Sequence, residues 1–84
     1  MGALDFSNAA DGEWEHIIES DRLLAETVDP VLDRIESGEL PGQMYANHVR
    51  FTTFYVRGRD DLYTIVWEVD GDRRRVLRIG RVSI

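Results

Sequence analysis

The chain has no cysteine and no lysine. The first absence rules out disulfide staples, thiolate zinc sites and cysteine nucleophiles together. The second makes every permanent cation an arginine, ten in all, and a guanidinium forms forked bonds to carboxylate or phosphate oxygens. No apolar run approaches the roughly 20 residues that span a bilayer. Met1-Gly2-Ala3-Leu4-Asp5 has neither a basic n-region nor an apolar h-region, so it is not read as a signal peptide and the cytoplasm is the expected compartment. No serine lies in a nucleophile-elbow context and no glycine-rich phosphate loop occurs, so no cofactor is expected.

What is present is enough for one thin-cored domain spanning residues 1–84. Hydrophobic residues make up 43% of the chain, which argues against global disorder. A chain this short buries only about 60–65% of the surface its unfolded form exposes. The net charge is −6 and it is segregated. Residues 1–45 hold eleven acids against Arg22 and Arg34, whereas residues 46–84 hold five acids against eight arginines. An acidic average therefore conceals a basic half. Such a surface stays hydrated and repels its neighbours, which suits a high-salt cytoplasm, and a GC-rich genome also favours arginine codons.

The two halves differ in period. Leu4-Asp5-Phe6 alternates as a short strand does, and Ser7 offers a helix N-cap. Ala10, Trp14, Ile17 and Ile18 mark one helix face. The pattern resumes at Leu24, Val28, Val31 or Leu32, and Ile35, interrupted by Asp29-Pro30, where a new helix is expected to start. A break near Ser20-Asp21 is the alternative. Gly38 is expected as a left-handed C-cap. Residues 49–57, 62–69 and 75–82 are rich in β-branched and aromatic residues and read as strands. Gly58-Arg59-Asp60-Asp61 connects the first two, and Asp70-Gly71 marks a tight hairpin of type I′. In the middle strand Tyr63, Ile65, Trp67 and Val69 share the face expected to meet the helices. The expected fold is α+β: a short N-terminal strand, two helices, then a three-stranded antiparallel sheet.

Arginines dominate the second half at Arg50, Arg57, Arg59, Arg73, Arg74, Arg75, Arg78 and Arg81. Such a sheet can hold an RNA backbone, with Tyr55, Phe54 or Phe51 stacking a base. The competing reading is solvated strand edges with ion pairs to Asp60, Asp61, Glu68 and Asp72. Glu13 and His16 have the Glu-x-x-His spacing of helical metal ligands, but a carboxylate metal centre needs the motif twice. Both are read as helix-surface residues and no metal is expected. Glu15 and Glu19 read as a solvated face. A winged-helix DNA binder with the Asp70-Gly71 hairpin as its wing needs a basic recognition helix, and these helices are acidic.

The segments 54–57 and 62–70, the strand Val76-Leu77-Arg78-Ile79-Gly80-Arg81 and the helix start Asp29-Pro30-Val31-Leu32-Asp33-Arg34-Ile35 resemble the RelE/ParE toxin superfamily of toxin–antitoxin modules. The resemblance implies a toxin that inhibits translation through ribosome-bound mRNA and is neutralised by a cognate antitoxin. In the family's nucleases cationic side chains stabilise the charge that develops as a 2′-hydroxyl attacks the adjacent phosphate. Carried over, Arg57 and Arg81 are the catalytic candidates, and Tyr55, Arg57, Arg59, Arg78 and Arg81 the nucleic-acid contacts. The departures imply a degenerate ribonuclease site. Thr64 and Val82 stand where arginines are expected, and the residues after Arg81 include no tyrosine or histidine. The alternatives are a non-catalytic interaction module of the same fold and a gyrase-targeting toxin. An antitoxin segment is expected to wrap the sheet and helices and meet Arg57, Arg78 and Arg81 with acidic side chains.

Overall fold

Ser7 determines where the first strand stops. Its backbone N–H donates to Val76 O at 2.8 Å and its hydroxyl to Leu77 O at 3.0 Å. The same hydroxyl accepts from Ala10 N at 3.1 Å, so the residue that ends β1 (Ala3–Phe6) also caps α1 (Asn8–Ser20). The computed structural model describes residues 3–82. Met1, Gly2, Ser83 and Ile84, which the sequence reading includes in the domain, lie outside the described residues.

The helices divide at Asp21, as the alternative break near Ser20-Asp21 has it, and not at Asp29-Pro30. Asp21 N–H closes α1 on Ile17 O at 2.8 Å, and the Asp21 carboxylate accepts from Leu24 N at 3.3 Å to start α2 (Arg22–Ser37). Pro30 lies inside α2. A mid-helix proline costs about 3 kcal/mol, and burial of Leu24, Val28, Leu32 and Ile35 along one stripe offsets it. Gly38 ends the helix at φ 83°, as expected.

Among the described residues the sheet has five strands in the order β1-β5-β4-β3-β2, not three. β3 (Val49–Tyr55), β4 (Leu62–Asp70) and β5 (Arg73–Arg81) form the expected antiparallel centre. β1 joins β5 in parallel at one edge, and β2 (Gln43–Ala46) joins β3 antiparallel at the other. The β4–β5 hairpin turns on Gly71-Asp72 with positive φ at Gly71 alone, the type II′ pattern and not type I′.

Tyr63, Ile65 and Trp67 face the helices and are buried, with Val69 packed against them. Val76 and Ile79 of β5 join this core, as do Ala10 and Ile17 of α1. Leu77 is the extra residue of a β-bulge, since Val66 pairs with Arg78 but Trp67 with Val76. The opposite, open face carries Phe51, Thr53 and Tyr55 beside Leu62, Thr64, Val66 and Glu68, none of them buried. Among the described residues no helix is long and apolar enough to cross a membrane.

Candidate functional site

The register sorts the candidate residues at one end of the sheet onto different sides. Tyr55 closes β3 on the open face and is 64% exposed. Arg57, read as the end of that strand, lies instead in a turn closed by Arg59 N to Val56 O at 3.0 Å. Gly58 at φ 84° gives this turn its type II form. Arg57 is exposed and has no carboxylate partner among the described residues.

Arg59 turns to the helix side. Both terminal nitrogens donate to the Asp21 carboxylate at 2.7 Å, and Nη1 also reaches Tyr63 Oη at 3.2 Å. This fork fastens the α1–α2 elbow to the β3–β4 turn. The hydrogen bonds from Arg59 hold the Asp21 carboxyl below its ordinary 3.8, aided by the Leu24 amide and opposed by desolvation. The same bonds, from Asp21 first and Tyr63 second, push the guanidinium pKa up.

Arg78 engages both carboxylate oxygens of Glu13 through Nε at 3.3 and 3.2 Å. Glu13 Oε1 also accepts Ile79 N–H at 2.9 Å, so an α1 side chain caps the edge of β5 beyond the reach of β1. Arg81 pairs opposite Tyr63 on the helix side, with a long 3.5 Å contact to Asp61. It lines a cleft of about 410 Å³ with Glu13, His16, Asp21, Leu24 and Tyr63. A guanidinium, an imidazole and a phenol thus share one opening with two carboxylates. His16 is an exposed helix residue, as read from the sequence, but its place in one cleft with Arg81 depends on how α1 packs on β5 and left no signal in the sequence. No group of three or more metal-ligating side chains occurs among the described residues.

The arginines do not form one shared cationic surface. Arg73 pairs with Asp5 at 3.0 Å and Arg75 with Glu68 at 3.6 Å on the open side. Asp61 and Glu68 act as the ion-pair reading expected, but Asp5, Glu13 and Asp21 come from the acidic half. The charge segregation is in part complementarity between the halves. Arg74 lies beside the α2 C-cap, its Nη2 3.3 Å from where a Gly38 Cβ would stand. There a cation meets the negative end of the helix dipole.

No family model and no curated protein sequence matches the chain. Solved structures do. The YoeB dimer from Staphylococcus aureus superposes with a TM-score of 0.65, covering 96% of this chain and 97% of that one at 10% identity. A YoeB/ParE toxin from Agrobacterium tumefaciens gives 0.61, over 96% and 99% at 9% identity. The chain has the RelE/ParE toxin fold. The heterotetrameric YoeB–YefM toxin–antitoxin complex from Staphylococcus aureus gives 0.59, over 95% of both chains at 10% identity.

Within this fold the two departures from the resemblance meet on the open face. Thr64 pairs with Thr53 on one side and Gly80 on the other, an uncharged row. Val82 N–H bonds to Leu62 O at 2.8 Å, next to that row. The Thr64 hydroxyl is already donated to Thr52 O at 2.9 Å. No cation lies in the row.

Proposed function

We propose that the chain is the toxin component of a toxin–antitoxin pair, acting on translation at ribosome-bound mRNA with little or no RNA cleavage of its own. The observation that carries the toxin reading is the match in fold over nearly the whole length of both chains. Weak cleavage follows from chemistry. Each preorganised cation lost from such a site costs about two to three decades in rate, and the Thr53–Thr64–Gly80 row has none. Tyr55 and Arg57, both exposed and together at the end of the sheet, are the contacts best placed to stack a base and hold a phosphate. Arg59, Arg78 and Arg81 join them only by exchanging Asp21, Glu13 and Asp61 for phosphate oxygens. The antitoxin is the partner, and of Arg57, Arg78 and Arg81 it is Arg57 that its acidic side chains reach without displacing another carboxylate.

Induced expression tests this reading. Growth should arrest, recover when a neighbouring antitoxin gene is co-expressed, and continue when Arg57→Ala and Arg81→Ala are combined. Arrest unchanged by both substitutions sinks the site assignment and leaves the toxin reading standing. The ion pairing of Arg59, Arg73, Arg75, Arg78 and Arg81 favours a second reading, a non-catalytic interaction module or a gyrase-targeting toxin of the same fold. Normal growth on induction selects the module. Arrest with protein synthesis continuing selects the gyrase branch.

A further inference from the structure

The helices α1 and α2 meet at a single residue, Asp21, which ends one and caps the other. Both helices line a groove of about 610 Å³, which shares only Ser20 with the Arg81 cleft. Its apolar surface comes from Trp14 and Ile18 on α1 and Ala25 on α2. Ile18 is 52% exposed and adjoins Trp14 and Ala25, so the apolar surface is a contiguous patch and not a single side chain. Glu19, Glu26 and Asp29 line the same groove, and the one cation there, Arg22, is already bonded to Glu26 at 3.3 Å. Around it the acidic half keeps a strong negative balance even though Asp5, Glu13 and Asp21 are neutralised from the sheet.

We propose that this groove is a docking site for an amphipathic helix of a partner protein carrying arginines or lysines beside its apolar stripe. The charge selects the occupant. Nucleic acid, an anionic membrane surface or an acidic peptide would meet repulsion from Glu19, Glu26 and Asp29. A basic helix places its apolar residues on Trp14, Ile18 and Ala25 while its cations meet those carboxylates. A groove lined by two helices takes the side-chain ridge of a third. The proposal goes beyond the toxin reading and does not depend on it. The arginines at the end of the sheet call for an acidic ligand, whereas this groove calls for a basic one, so the molecule has two surfaces of opposite demand.

The full chain is titrated with a synthetic helical peptide bearing leucines at i, i+3, i+4 and i+7 and flanking arginines, and with its glutamate-for-arginine counterpart. Binding is read by amide chemical shifts and by the change in tryptophan fluorescence, Trp14 being in the groove and Trp67 in the core. The arginine peptide should bind with shifts centred on Ile18 and Ala25, at least about tenfold tighter than the glutamate peptide, and more weakly as salt rises. Ile18→Gln, on an exposed side chain, should weaken it by about tenfold, and Glu19→Gln with Asp29→Asn by a similar factor. Circular dichroism confirms that each variant is folded. Absence of binding, equal binding of the two peptides, or shifts on the open sheet face overturns the proposal. So does self-association of the chain that Ile18→Gln abolishes, because a second copy would then be the occupant.

Discussion

Replacing Glu13 by alanine tests whether a helix side chain completes the edge of β5. The Ile79 N–H has Glu13 Oε1 as its partner at 2.9 Å, because β1 pairs only as far as Val76. Losing that acceptor at a part-buried donor costs about 1–3 kcal/mol. The Arg78 contact is 67% exposed on the arginine side and contributes only about 0.2–1 kcal/mol. Alanine returns a few tenths of a kcal/mol, roughly, in helix propensity. The net loss is about 1–3 kcal/mol, a large share of the roughly 4–13 kcal/mol expected for a chain this long. It should lower Tm by about 5–20 °C. Glu13→Gln keeps an oxygen for Ile79 and should cost under about 1 kcal/mol, as should Arg78→Ala. Urea unfolding followed by tryptophan fluorescence gives the order, and hydrogen exchange at Ile79 should accelerate in Glu13→Ala alone. Equal losses for Glu13→Ala and Arg78→Ala would refute the edge-capping role and leave a simple ion pair.

Gly42→Ala should be among the most damaging small changes. At φ 72° its methyl would stand 2.5 Å from Trp67 Cη2 and 3.1 Å from Phe51 O. Positive φ and overpacking together cost about 2–5 kcal/mol, whereas Gly12→Ala, with open space around it, should gain about 0.5–1 kcal/mol; thermal melts of the pair give both signs. The Asp21 carboxyl is lowered in the folded chain, so its contribution is fully present above the ordinary 3.8 and lost as pH falls from there through the folded value. Wild type and Asp21→Asn should therefore converge in acid melts below about pH 4, and a gap unchanged by pH would contradict the Arg59 fork. For a surface with net charge −6, stability should be higher in about 1 M KCl than in about 0.1 M; equal stability would remove the high-salt expectation.

The elements were legible where burial imposed a period, and obscure where it did not. β4 alternates cleanly because Tyr63, Ile65 and Trp67 alone enter the core. β2 is exposed at all four residues, so its strand character comes from hydrogen bonds to β3 and leaves no apolar pattern. Asp29-Pro30 and Ser20-Asp21 both carry cap signals, and the apolar stripe from Leu24 to Ile35 decides between them, because it continues through Pro30. The site was harder to read. Arginine content was visible, but the direction each one takes depends on register and on the Leu77 bulge, and for Arg59, Arg73 and Arg78 on acids 38 to 68 positions away. Thr64 and Val82 were readable as departures from a family pattern. Their meeting beside one uncharged row required the sheet.

The most direct test of the toxin reading is translation in a purified system supplied with the folded chain, with mRNA integrity followed by primer extension. Protein synthesis should fall as the chain is added while most of the message stays uncut, and antitoxin should restore it. Synthesis unaffected by a molar excess of the chain over ribosomes would contradict the proposal that translation is its target.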